Sequence, residues 1–241
     1  MRLKLTIEYD GTPFRGWAAQ PGLPTVEASL RDALGQTFTS FENLAVAGRT
    51  DTGVHALANV VSVDVRGGPP AERAAQALNT RLPDEVAVVT AEHVADDFHA
   101  RFSARSRSYR YQIFNRRTSS PFELRRSWWV VRRLDVDALN ERAALLLGEH
   151  DFRAFTPTET QHEIFVRIVE RAEWLRTGDH VDFEITADSF LRHMVRTLVG
   201  TMLELEAADL APLLAGRTRP DAGTTAPPWG LYLVAVGYGD S

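Results

Sequence analysis

The sequence contains no cysteine. That excludes disulfides, thiolate chemistry and cysteine-ligated zinc. Lysine is nearly absent as well: Lys4 stands alone, and the other 26 of the 27 basic residues are arginine. No stretch approaches the ~20 apolar residues that span a bilayer. The N-terminus, Met1-Arg2-Leu3-Lys4-Leu5, enters an alternating pattern at once, with no apolar signal-peptide core. A cytoplasmic protein is the expectation. The seven histidines are scattered, and His162-Glu163 has no second histidine at the spacing a zinc hydrolase needs. No Walker or dinucleotide pattern occurs either, so neither a metal nor a nucleotide cofactor is expected.

What is present is an ordinary globular composition, 44% hydrophobic and 24% charged over 241 residues, enough for one large domain or two small ones. Residues 2–9 alternate, with Leu3, Leu5, Ile7 and Tyr9 on one face, and read as a half-buried strand. Asp10-Gly11-Thr12-Pro13 breaks it. From Thr25, an N-cap residue, Val26, Leu30, Ala33, Leu34 and Phe38 trace a helical face. Strands at 44–47 and 60–65, a helix over about 70–80 and a strand at 86–89 complete a β-α-β-β-α-β order.

The second part repeats that order. A strand carries Tyr109, Tyr111 and Ile113, a helix runs from Asp137 to Leu147, and strands at 166–176 and 181–186 flank the turn Thr177-Gly178-Asp179-His180. A helix over 189–206 and an apolar strand over 230–238 follow, the latter central because both its faces are apolar. The expected fold is α+β, two ferredoxin-like halves over 1–102 and 103–241. Two such antiparallel sheets side by side would leave a cleft suited to a substrate.

Net charge is −5, yet residues 101–133 hold ten arginines and a single acid, Glu123. Aromatics interleave with them at Phe102, Tyr109, Tyr111 and Phe114. A basic segment of this kind attracts phosphates whatever the global sign, and points to RNA.

Between the strands at 44–47 and 60–65 stands Gly48-Arg49-Thr50-Asp51-Thr52-Gly53-Val54-His55-Ala56. Its two glycines allow backbone angles and close approaches that side chains block. An isolated Asp between glycines reads first as a turn residue bonded to its own backbone. A phosphate loop is excluded, because Val54-His55 occupies the place of Lys-Ser/Thr. Two further stretches carry chemistry: Phe98-His99-Ala100-Arg101-Phe102-Ser103-Ala104 running on to Tyr109-Arg110-Tyr111, and Phe190-Leu191-Arg192-His193-Met194-Val195-Arg196 up to Val199-Gly200.

The nonapeptide at 48–56 closely resembles the catalytic motif of pseudouridine synthases, in the form carried by the tRNA pseudouridine synthase A (TruA) family. The stretches at 98–111 and 190–200 resemble that family's second and third motifs. Shorter likenesses at 147–152 and 226–233 extend the cover over nearly the whole chain. The resemblance implies a tRNA uridine-to-pseudouridine isomerase with two α/β halves whose sheets join around a catalytic cleft. It makes Asp51 the catalytic nucleophile, Tyr109 the residue stacked on the substrate, and Arg196 the cation paired with Asp51. A cation there keeps a carboxylate charged inside a cleft. Arg49, with the 101–133 arginines, would grip phosphates, and His55 would join the substrate site. The resemblance further implies a homodimer acting on the anticodon arm, at tRNA positions 38–40. The chain departs from the family pattern at Thr52, at Ala18 and over Thr156–Phe165, and the last two bear on substrate range. The alternative is a double ferredoxin-like RNA-binding module without catalysis, which would give Asp51 no task. A purely structural or protein-interaction domain would leave the arginine cluster unexplained.

Overall fold

The computed structural model describes residues 1–160 and 162–239. Gln161, within the divergent 156–165 stretch, lies outside the described residues. The chain forms two compact units: residues 1–105 together with those from 232 onward, and residues 106–231. The expected halves change over at 103; packing places the change at 105 and gathers the last strand into the first unit.

The first unit runs β1 (Arg2–Tyr9), α1 (Val26–Thr37), β2 (Ser40–Val46), β3 (His55–Arg66), α2 (Ala71–Asn79) and β4 (Val86–His93). The β-α-β-β-α-β order read from the sequence is the one observed. β1 lies between β4 and β3, and β2 flanks β3, all antiparallel. Leu3, Leu5 and Ile7 of β1 oppose Val63, Val61 and Asn59 of β3, so these six share one buried face. Thr25 caps α1 by accepting Ala28 N–H. Asn79 at the end of α2 brackets β4, donating to Val88 O at 2.9 Å and accepting Val88 N–H at 2.7 Å.

Two strand boundaries differ from the periodicity reading. β2 starts four residues early, because Asn43 takes a left-handed conformation (φ 55°) at a register shift that hides the alternation. β3 starts at His55, so the motif loop is shorter than its sequence suggests.

The second unit contains β5 (Ala104–Phe114) from Ser106 on, β6 (Trp128–Trp129), α3 (Val136–Ala144), β7 (Gly148–Asp151), β8 (Val166–Thr177), β9 (His180–Ala187), α4 (Met194–Glu204) and the short α5 (Ala207–Leu210). β5 pairs with β9, β9 with β8 and β8 with β7, all antiparallel; the two-residue strand β6 runs parallel to the end of β5. The β8–β9 hairpin turns where Gly178-Asp179 stand, as expected. α3 stops three residues early because Leu145–Leu147 tighten into single-turn bonds that lead into β7. Its Asn140 brackets Trp174 of β8 as Asn79 brackets Val88, at 3.0 and 2.7 Å. The strand expected over 230–238, β10 (Leu231–Tyr238), starts at the boundary; Tyr232 and Leu233 run parallel to His55 and Ala56 of β3 within the first unit.

The helix expected over 189–206 begins only at Met194. Asp188 is still tied to β8, its N–H to Ile168 O and its carboxylate to Ile168 N–H. The next five residues therefore serve as the connection, and His193 enters the helix in a left-handed conformation (φ 62°). Arg192 thus stands in a turn and does not share a helical face with Arg196.

Arg2 and Asp64 form a two-point ion pair across β1 and β3, both contacts 2.7 Å. The Arg2 hydrogen bonds, aided by Asn43, hold the Asp64 carboxyl down at about 2, against the desolvation that opposes them. A carboxylate with a depressed folded-state pKa stabilises the fold above its unfolded value and loses that contribution as pH falls through the folded one. Asp64→Asn should cost about 1–2 kcal/mol at neutral pH. The gap from wild type in urea melts should close as pH falls from about 4 to about 2; a pH-independent gap would assign the effect to packing.

Candidate active site

Asp51 sits half-buried in a turn closed by Val54 N–H donating to Asp51 O at 3.1 Å, with Gly53 at φ 76°. The turn is held from below by buried polar side chains. Asn59, on the apolar face of β3 and 0% exposed, donates through Nδ2 to Gly48 O at 2.8 Å and to Tyr9 Oη at 3.2 Å. Tyr9 Oη is in turn hydrogen-bonded to Thr50 Oγ1 at 2.8 Å. Burial pushes the Tyr9 phenol up to about 12, so it remains a hydroxyl at neutral pH. A bulge between Ile7 and Tyr9 shifts the register and aims that ring at the loop.

A second support is the segment between β1 and α1. Trp17 N–H donates to Thr50 O at 3.0 Å. Gly16, at φ 94°, lies so close that a Cβ there would stand 2.9 Å from Thr50 O and 3.3 Å from the Asp51 carbonyl carbon. A Cβ on Gly11 would collide with the Val54 carbonyl.

His55 follows the turn as the first residue of β3. Its ring is 2% exposed and stacks on Tyr232, centroids 4.6 Å apart. Nδ1 accepts Gly11 N–H at 3.0 Å, and Asp10 Oδ1 lies 3.2 Å from the same nitrogen. One nitrogen cannot accept from Gly11 and donate to Asp10 together, so the Gly11 bond belongs to the ring with Nδ1 unprotonated. The imidazole thus ties the 10–17 segment to β3 beneath the loop. Arg49 projects exposed beside Asp51.

In the second unit Tyr109 is 8% exposed on β5, with the Phe190 ring edge-on at 4.9 Å. Tyr111, two residues on, donates its hydroxyl to Pro227 O at 2.8 Å. Arg196 lies in the first turn of α4. Its Nε donates to Ala226 O at 2.8 Å, and Ala226 N–H donates back to Arg196 O at 3.0 Å. Thr197 and Thr225 hydroxyls, 3.2 Å apart, fasten the same segment. Burial raises the Tyr111 phenol, with Arg196 pulling it the other way.

The ten arginines of 101–133 divide in the structure. Arg110 pairs with Glu184 at 2.9 Å, Arg107 donates to Asp188 O, Arg116 reaches Asp179 and Arg132 donates to Leu203 O. Arg101, Arg105, Arg117, Arg125, Arg126 and Arg133 lie exposed. Among the described residues no three His, Cys, Asp or Glu side chains gather as a metal site requires. No helix among them is long and apolar enough to cross a membrane.

A profile of the family described as tRNA pseudouridine synthase matches residues 5–103 and 143–239. The chain belongs to the tRNA pseudouridine synthase family. Two proteins named tRNA pseudouridine synthase A, from Rhodopseudomonas palustris strains HaA2 and BisA53, are 45% and 44% identical over 243 residues, which covers 98% of this chain and 99% of each. One of the same name from Brucella anthropi is 41% identical over 245 residues, 98% of both chains. As a tRNA pseudouridine synthase, the protein isomerises uridine to pseudouridine in tRNA. The matched span 5–103 takes in the whole Asp51 support, from Tyr9 to Asn59.

Tyr9 and Asn59 were not singled out in the sequence. Asn59 was findable: it is an amide in register with Val61 and Val63 on an otherwise apolar stripe. Tyr9→Phe should lower the unfolding free energy by about 1 kcal/mol. Asn59→Leu, which strips partners from both Tyr9 Oη and Gly48 O, should lower it by about 2–3 kcal/mol. Urea melts that left Asn59→Leu as stable as wild type would show that these bonds do not hold the loop.

Proposed function

We propose that Asp51 carries the chemistry of this tRNA pseudouridine synthase. The observation behind this reading is the double support of its turn: buried hydrogen bonds beneath Gly48 and Thr50, and glycine-close backbone against Thr50, Asp51 and Val54. Catalysis needs a reacting group held in one geometry, and this turn has little freedom to adopt another.

The reaction breaks the bond between ribose C1′ and uracil N1, turns the freed base and joins C1′ to C5. N1 gains a proton and C5 loses one, so the atoms balance without redox or energy input. The target uridine leaves its stack to be reached. Asp51 acts as the nucleophile or base that starts cleavage of the N-glycosidic bond, a task carboxylates perform at electron-poor sugar carbons in glycosidases.

Tyr109, braced edge-on by Phe190, offers a ring to the flipped base. Arg196 is anchored through Nε to Ala226 O, and the motif resemblance makes it the cation for Asp51. Arg49 and the exposed arginines of 101–133 take phosphates, and His55 acts from below by fixing the loop. The resemblance of the three motifs supports the remainder of the reading: sheets of the two halves joined around the catalytic cleft, a homodimer in the cytoplasm, and uridines 38–40 of the anticodon arm as targets.

Pseudouridine mapping on unmodified tRNA transcripts, by carbodiimide adducts and primer-extension stops, tests this. Wild type should give new stops in the anticodon arm, and Asp51→Asn none, with tRNA affinity kept within about threefold. Undiminished modification by Asp51→Asn would remove Asp51 from the chemistry.

A further inference from the structure

We propose that Phe102, backed by His99 and flanked by Arg101, is a stacking platform for a tRNA nucleobase other than the uridine that reacts. The Phe102 ring is 77% exposed. Scattered apolar side chains on a surface are ordinary, but this one is built into a rigid bracket. Ser103 N–H donates to His99 O at 2.9 Å, and His99 N–H donates to Ser103 Oγ at 3.0 Å. His99 Nδ1 accepts the N–H groups of both Arg101 and Phe102, at 3.2 and 3.3 Å. The imidazole lies against the phenyl ring, centroids 4.3 Å apart and planes 30° from parallel. The Arg101 guanidinium stands over the same ring, 5.7 Å from its centroid.

The bracket is fixed to the sheet that carries Asp51. Ala100, fully buried, donates its N–H to Ser62 Oγ of β3 at 3.1 Å and accepts the Tyr238 hydroxyl of β10 at 2.8 Å. It packs in one cluster with Ala47 and Val60. Ala47 is the residue before Gly48, where the Asp51 loop begins, and its N–H bonds Val60 O at 2.8 Å. Asp96 and Asp97 interact electrostatically with Arg2. A flat, backed ring beside a cation suits the π-face of a base and its phosphate, whatever the base. The protein's substrate is tRNA, so the occupant is an unstacked base of that RNA. That this base neighbours the target uridine rests on Asp51 being the reacting group.

Dissociation constants for an unmodified tRNA transcript, by filter binding with the full chain, test the proposal. Phe102→Ala and Phe102→Leu should each weaken binding about tenfold, in the range of one lost base–aromatic stack, while Phe102→Trp stays within twofold of wild type. Wild-type affinity in Phe102→Ala would overturn the platform, as would full retention in Phe102→Leu, which marks an apolar filler. A smaller sedimenting mass for Phe102→Ala would assign the ring to a second copy of the chain and overturn it too. An active Asp51→Asn variant would remove the reading of Asp51 while leaving the affinity series to stand.

Discussion

The amide of Asn59 lies fully buried under the Asp51 loop, and the loop takes its shape from that fact. A buried donor left unpaired costs about 1–3 kcal/mol. Asn59 avoids the cost by giving its two N–H groups to Gly48 O and Tyr9 Oη. Tyr9, equally buried, passes the constraint to Thr50, the residue before Asp51. Any loop conformation that lifts Gly48 or Thr50 away from the sheet strands these groups at once. From the other side the 10–17 segment closes in through Gly11, Gly16 and Trp17, at separations that leave no space for a side chain. Asp51 is therefore held between a polar floor and a backbone wall.

The second unit fixes its cation by the same kind of reasoning. A helix arginine ordinarily extends its head into water. Arg196 is instead bound by Nε to Ala226 O, on a segment that Thr197, Thr201 and Glu204 of α4 also hold. Tyr111 secures the next carbonyl, that of Pro227. The apolar residues of α4 are buried on more than one side, Met194, Val195, Leu198, Val199 and Met202 together, so the helix has no freedom to roll and carry Arg196 elsewhere.

Much of this was legible in the sequence, for reasons that differ by element. β1 alternates cleanly because one of its faces is core, and Thr25 announces α1 because a hydroxyl is needed where the first N–H groups lack partners. The Asp51 loop stood out through its motif. The start of α4 did not: Phe190 and Met194 keep helical spacing, but the bonds of Asp188 to β8 hold the intervening chain in a connection, and no periodicity reveals a tertiary tie. β7 was missed because four polar residues, Gly148-Glu149-His150-Asp151, carry no alternation. His55 read as a site residue; its burial against Tyr232 and its bond to Gly11 N–H are long-range contacts that no local pattern reveals. β10 was recognised as a strand, while its place beside β3 is a matter of long-range packing that local pattern does not encode.

With Asp51 as the proposed reacting group, its position, fixed by its loop, limits the chemical step. Gly16→Ala tests it most directly, because the added Cβ would stand 2.9 Å from Thr50 O and 3.3 Å from the Asp51 carbonyl carbon. The single-turnover rate at saturating tRNA should fall at least ~10-fold, the scale expected when a reacting group is misplaced by a fraction of an ångström. The tRNA dissociation constant and the far-UV spectrum should stay as in wild type. A folded Gly16→Ala enzyme that reacts at the wild-type rate would contradict the account.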